Sequence, residues 1–208
     1  MKGLIIVEGK EDQKFITKLL ELIKIDNDVI AQVSNEKRGS KFHVINTDNI
    51  SRIINDSKYK FEKVLLICDA DSEEQKGECD GFTKTKKIIT EVVKKLGSQN
   101  TQTISYYILP DNKNDGTLET LYLESLPTKL KNTLDCVTTY LSCLKKKGHS
   151  TNKSDKIISS TLLAPLGAKD NVRAAGYAAD SEQCEDYWDF NSKDTQKLIN
   201  FIQKFFKN

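Results

Sequence analysis

The sequence predicts an α/β protein with a mainly parallel sheet flanked by helices, followed by a mainly helical C-terminal elaboration. Two features of the 208-residue chain indicate the sheet. Short apolar runs alternate with amphipathic stretches in the first half, which is the order of strands and helices in a parallel sheet. Two of these runs stop abruptly at acidic residues, as buried strands do when they deliver side chains to the carboxyl edge of a sheet. In the second half, apolar residues recur mainly at helical spacing, which indicates the helical elaboration.

The predicted elements alternate between strand and helix as far as residue 109, except that two short strands follow each other at 29–33 and 42–45. Strands are predicted at the run ending at Glu8, at 29–33, at 42–45, at the run ending at Asp69, and at 103–109. Helices are predicted over 9–25, after residue 48, and over 83–96, where Gly97 closes the helix. Further helices are predicted from Thr117 and over 129–147, 157–163 and 195–206. We therefore expect an α/β core over 1–125 and a helical elaboration over 126–208 that packs on the same core.

The composition favours a reduced, cytoplasmic protein without a membrane partner. Lysine and arginine number 32 and aspartate and glutamate 30, so the net charge is only +2 and any attraction for phosphate must be local. The five cysteines are an odd number and lack CxxC spacing. No window approaches the length of a membrane span. The chain also lacks the GxxxxGK[ST] motif, so it does not itself encode an ATPase of that type.

Acidic residues at the ends of two strands predict a metal site. Glu8 ends one apolar run, and Asp69 and Asp71 end another. Carboxylates placed there are partly desolvated and repel one another unless a cation or proton neutralises them. Asp12 lies one turn after Glu8 if a helix begins near Gly9, so it can join the same site. Ligands that are all oxygen suit Mg²⁺ or Mn²⁺ better than zinc.

A further acid is expected from the helix that follows Thr117. Glu119 and Glu124 are five residues apart, about 140° around a helix, so they should not share one ligand site. Glu119 is the preferred ligand because it lies nearer the strand edge. A solvated position for Glu119 remains the alternative.

Several polar and aromatic residues are assigned structural roles. Lys37, Arg38 and Lys41 lie in and beside a polar loop and are predicted to be solvated, with a position of the loop's basic residues near the sheet edge as the alternative. Trp188 is expected in the core rather than stacked on a nucleic-acid base. Cys68 is expected to be a small buried hydrophobe.

The two acidic strand ends resemble the Toprim domain, which topoisomerases, DnaG-type primases, OLD nucleases and small ribosomal-RNA maturases share. The resemblance lies in VEG at 7–9, with an acid four positions after the Glu, and in DAD at 69–71. LPDN at 109–112, leading to GTLE at 116–119, is similar to small stand-alone Toprim-like proteins related to the OLD group. The likeness covers roughly residues 1–125.

This resemblance implies a Toprim-like fold and a metal-dependent phosphoryl-transfer enzyme, in first place an OLD-like nuclease. Its cofactor would be two Mg²⁺ or Mn²⁺ ions about 4 Å apart. The implied ligands are Glu8, Asp12, Asp69, Asp71 and Glu119. Glu8, Asp69 and Asp71 would also count as catalytic residues.

A lysine completes the site that the resemblance implies. OLD-type nucleases use a lysine late in the domain to support the charge at the scissile phosphate, and Lys169 resembles it. Lys169 would stabilise the negative charge that develops during cleavage, and Arg173 would assist one turn later. The alternative is a lysine near the start of an alanine-rich helix.

Nucleic acid is the expected partner, DNA rather than RNA, together with a separately encoded ATPase. Two other functions remain open. One is a Toprim ribosomal-RNA maturase, although that group carries a Pro-Phe-Gly-like continuation after DxD, whereas SEEQ follows here at 72–75. The other is a non-enzymatic module that binds metal or a nucleotide and regulates a partner.

Overall fold

A computed structural model shows an α/β architecture, as the sequence predicts. One parallel sheet carries helices on both faces, and the C-terminal part is helical. The structure describes residues 2–34, 41–56, 60–73, 77, 79–149, 155–166 and 174–207.

The sheet has four strands in the order β2-β1-β3-β4, and every neighbouring pair is parallel. The strands are β1 (Gly3–Val7), β2 (Val29–Val33), β3 (Lys63–Asp69) and β4 (Thr103–Leu109). Parallel alignment brings the carboxyl ends of all four strands to one edge. The acids that follow β1 and β3 therefore lie on neighbouring strands.

Ten helices are assigned within the described residues. They are α1 (Lys10–Leu22), α2 (Lys41–Val44), α3 (Thr47–Asp56), α4 (Phe82–Gln99), α5 (Leu118–Glu124), α6 (Thr128–Lys146), α7 (Asp155–Leu166), α8 (Ala175–Asp180), α9 (Cys184–Tyr187) and α10 (Lys193–Lys207).

Each face of the sheet has its own hydrophobic core. Helix α1 and helices α5 to α10 cover one face, and helices α2 to α4 cover the other. Successive residues of a strand point to opposite faces, so Ile5 belongs to the first core and Leu4 and Ile6 to the second. Burial on both faces explains why the central strands are continuous apolar runs.

The residues expected in the core are buried there. Cys68 is buried in β3. The Trp188 ring stacks on Phe15 with 4.4 Å between the ring centroids, and its indole N–H donates to Thr195 Oγ1 at 2.9 Å. Trp188 thus ties the segment before α10 to α1 and is not available to stack on a base.

Two local predictions are wrong. Residues 42–45 were expected to be a strand, but α2 occupies residues 41–44. An apolar run of four residues is too short for its pattern to separate strand from helix. Gly97 was expected to close α4, but the helix continues to Gln99 because the Asn100 N–H still bonds to the Leu96 carbonyl.

Helix α8 lies against the beginning of α1 at a glycine. A side-chain carbon at Gly176 would collide with the backbone carbonyl of Glu11. Only glycine permits this close approach of the two backbones. The contact holds the first turn of α1, which carries Asp12, against the C-terminal helices.

Candidate functional site

Glu8 and Asp69 lie side by side at the carboxyl edge of the sheet. Glu8 directly follows β1, and Asp69 is the last residue of β3. The backbone N–H of Asp69 donates to Glu8 Oε1 at 2.8 Å. This bond links the ends of two neighbouring strands and fixes the direction of the Glu8 carboxylate.

Asp12 joins this edge from the first turn of α1. The chain turns from β1 into α1 through Gly9, which is the N-cap residue of the helix. The Gly9 N–H donates to Asp12 Oδ2 at 2.9 Å. The bond turns the Asp12 side chain back toward the strand end, where it raises the pKa of Glu8.

Helix α5 brings a fourth acid to the same edge. The N–H of Leu118, the first residue of α5, donates to Asp69 Oδ1 at 3.0 Å. The next residue, Glu119, is 8% exposed, and its Oε2 accepts a bond from the Thr117 hydroxyl at 2.8 Å. The negative charge of Glu119 raises the pKa values of both Asp12 and Asp69, so it belongs to the group.

Burial and mutual repulsion dominate the electrostatics of these acids. Burial, followed by the charge of Asp12, raises the pKa of Glu8 to about 8. Burial is also the main reason that the pKa of Asp12 rises to about 7. Burial and the charges of Glu8 and Asp12 raise the pKa of Asp69 well above its usual range. At neutral pH the group therefore holds protons that a bound cation would replace.

Asp71 lies beside this group but has a different partner. Its backbone is left-handed, with φ of 59°. Two hydrogen bonds of 2.9 and 3.0 Å join its N–H and carbonyl to those of Gly116. Its Oδ2 lies 2.7 Å from the Lys41 ammonium nitrogen. The Asp71 carboxylate is thus already paired with a cation, although its charge still contributes to the raised pKa of Glu8.

The prediction that Lys41 is solvated is wrong, because the residue is only 5% exposed. Its ammonium group donates to the carbonyl oxygens of Ala70 and Cys79, both at 2.9 Å, in addition to its ion pair with Asp71. Sequence reasoning missed this role because no motif or periodicity links Lys41 to the segment after β3. The one indication was the alternative that the basic residues of this polar loop lie near the sheet edge.

The remaining site predictions have separate outcomes. Glu124 is exposed at the end of α5, where Asp194 and Asp111 are its main charged neighbours, so it is separate from Glu119 as the helical spacing predicted. Lys169 lies outside the described residues. Arg173, Lys37 and Arg38 also lie outside them.

Glu8, Asp12, Asp69 and Glu119 are called the acid group below. Their donor atoms suit Mg²⁺ or Mn²⁺. Carboxylate oxygens are the preferred ligands of these ions, and one oxygen each of Glu8 and Asp69 is uncommitted to a hydrogen bond among the described residues. Within the same residues, no group of three or more His, Cys, Asp or Glu side chains has the arrangement of a ready-made metal site. The chemistry of the donors therefore fits, and binding would require the carboxylates to close around the ion.

None of the described helices combines the length and the apolar character that a bilayer span requires.

No curated protein and no solved structure matches this chain. A match does exist at the level of families. The family DUF3226, whose description is "protein of unknown function", matches residues 2–207. Because this match spans nearly the whole sequence, the chain belongs to the DUF3226 family.

Proposed function

We propose that this protein is a Mg²⁺- or Mn²⁺-dependent enzyme that performs phosphoryl transfer on nucleic acid, most simply an OLD-like Toprim nuclease. One observation carries the proposal. Glu8, Asp12, Asp69 and Glu119 come from separate segments and meet at one sheet edge, where burial and repulsion raise the pKa values of the first three. Buried carboxylates that repel one another destabilise a fold, and a divalent cation offsets that cost.

Glu8, Asp12, Asp69 and Glu119 are the residues that would hold the ion. An ion bound there would act as a Lewis acid at the scissile phosphate and lower the pKa of a water molecule. The part played by the chain is to place the carboxylates. The backbone N–H groups of Asp69 and Leu118 donate to Glu8 and Asp69, respectively, and so orient these two carboxylates before an ion binds.

The substrate class rests on the resemblance to Toprim domains at residues 7–9 and 69–71. Domains of this kind act on nucleic-acid phosphodiesters, and DNA is the first substrate to test. Lys169 is the proposed group for the charge that develops at the phosphate. The nearly balanced charge of the chain agrees with a local phosphate site rather than a broad basic surface.

A cleavage screen with a matched pair of variants tests the proposal. Single- and double-stranded DNA and RNA are incubated with the wild-type protein in Mg²⁺, Mn²⁺ or EDTA. We expect cleavage of at least one substrate with metal and none with EDTA. The Asp69→Asn variant, purified in the same way, should be inactive. This loss would show that the cleavage activity belongs to this chain.

The two glutamates of α5 provide the specificity control. Glu119→Gln should weaken Mn²⁺ binding by about tenfold or more, because it removes a charge from the buried group. Glu124→Gln changes an exposed acid of the same helix and should leave Mn²⁺ binding unchanged. Equal effects of the two substitutions would remove Glu119 from the site. Mn²⁺ binding without cleavage of any substrate would favour the non-enzymatic metal-binding module instead.

A further inference from the structure

The buried ammonium group of Lys41 occupies a place beside the candidate metal site. Its three N–H groups have three acceptors at short range, namely the carbonyl oxygens of Ala70 and Cys79 and Oδ2 of Asp71. The Thr85 hydroxyl oxygen lies 3.3 Å from the same nitrogen. The lysine therefore sits in a complete polar shell, and this shell includes one of the predicted metal ligands.

Asp71 is held from two sides in this arrangement. The paired hydrogen bonds to Gly116 fix its left-handed backbone, and the ion pair with Lys41 fixes its carboxylate. A divalent ion that bound Asp71 through Oδ2 would compete with the ammonium group for that oxygen. Lys41 would then keep the two carbonyl oxygens and the more distant Asp80 Oδ1 at 4.0 Å, and the loss of its direct ion pair inside the fold is unfavourable.

Lys41 lies between two acids of the segment after β3. Its ammonium nitrogen is 2.7 Å from Asp71 Oδ2 and 4.0 Å from Asp80 Oδ1. The lysine therefore neutralises negative charge there without a metal ion. That is the electrostatic effect that a second divalent ion would have at this edge.

We propose that Lys41 takes the place of a second metal ion at Asp71, so that the acid group of Glu8, Asp12, Asp69 and Glu119 binds a single divalent ion. This inference rests on the proposed function, because it concerns the same metal site. It revises the expectation of two ions, and it makes Asp71 a residue that positions the segment after β3 through Lys41 rather than a metal ligand.

Counting bound Mn²⁺ tests this inference directly. The free Mn²⁺ signal in electron paramagnetic resonance, followed during a titration of the intact chain, gives the number of ions bound and their dissociation constant. We expect one ion per wild-type chain. Two ions of similar affinity would overturn the inference while leaving the proposed function intact. No binding at all would overturn the proposed function.

Two substitutions locate the effect. Asp71→Asn should change the Mn²⁺ dissociation constant less than about threefold, whereas Asp69→Asn should raise it at least about tenfold. A tenfold effect of Asp71→Asn would show that Asp71 is a ligand and would overturn the inference. These measurements decide the question even if changes at Lys41 prevent folding.

The substitution Lys41→Met removes the internal cation and keeps a long apolar stem. If the variant retains the wild-type circular dichroism spectrum, it should bind a second Mn²⁺, and the additional change Asp71→Asn should abolish that second site. Lys14→Met is the control, because Lys14 pairs with Asp180 on the surface and has no place in the acid group. A folded Lys41→Met protein that still binds one ion would overturn the substitute role of the lysine.

Discussion

The metal-free protein should lose stability as the pH rises from about 5 to 8. The pKa of Glu8 is about 8 in the folded protein, compared with 4.5 for the free side chain. An acid whose folded pKa is raised favours folding fully below its unfolded pKa, and this contribution is lost as the pH rises toward the folded value. Asp12, with a folded pKa of about 7, has the same sign.

The size of the effect follows from the shift. One pKa unit corresponds to about 1.4 kcal/mol, so Glu8 alone can lower the free energy of unfolding by at most about 5 kcal/mol across this range. The loss is smaller when Asp12 keeps its proton, because part of the shift of Glu8 comes from the Asp12 charge. We therefore expect a net loss of a few kcal/mol, concentrated between pH 5 and 8.

Urea denaturation at a series of pH values, with EDTA present throughout, measures this dependence. Glu8→Gln cannot ionise, and its amide oxygen can still accept the Asp69 N–H bond. The variant should show a flatter pH dependence than the wild type and exceed its stability at pH 8. Glu91→Gln, an exposed acid of α4, should follow the wild-type curve. Wild-type stability that is constant or rises from pH 5 to 8 would refute the reasoning.

Two further predictions concern packing and chemistry. Gly176→Ala should lower the free energy of unfolding by about 1–3 kcal/mol, since the new methyl group meets the Glu11 backbone. A methyl group at Gly97 would meet nothing within 4 Å, so Gly97→Ala should instead stabilise α4 by about 0.5–1 kcal/mol. Urea denaturation measures both changes, and an equal effect of the two would contradict this account. Lys169→Ala should lower the single-turnover cleavage rate by about 10²- to 10³-fold with Mn²⁺ affinity unchanged. A wild-type rate would remove Lys169 from the site.

Much of the fold could be predicted because parallel strands buried on both faces are continuous apolar runs. The ranges of β2 and β4 were predicted in full. The errors fall where local pattern carries little information. The run at 42–45 is too short to distinguish strand from helix, and an exposed glycine such as Gly97 can continue a helix as well as end it.

The candidate site was predicted as a set of acids but not as a network. The positions of Glu8 and Asp69 follow from strand ends, since parallel strands deliver their carboxyl ends to one edge. The burial of Lys41 does not follow from any local pattern. It depends on carbonyl groups after β3 that approach only when the fold is complete. Its pairing with Asp71 is likewise a tertiary feature, and the sequence reasoning treated the two residues separately.

Thermal unfolding at pH 7.5 with and without Mn²⁺ tests the central claim most directly, namely that the carboxylates at the sheet edge bind a divalent cation. At an Mn²⁺ concentration about 100 times the dissociation constant, binding to the folded state alone should add about 2.7 kcal/mol, which raises the melting temperature by roughly 5–10 °C for a chain of this size. Asp69→Asn should lose this response and, with less repulsion in the site, melt no lower than the metal-free wild type. Identical wild-type melting temperatures with and without millimolar Mn²⁺ would contradict the account and leave these acids with a structural role.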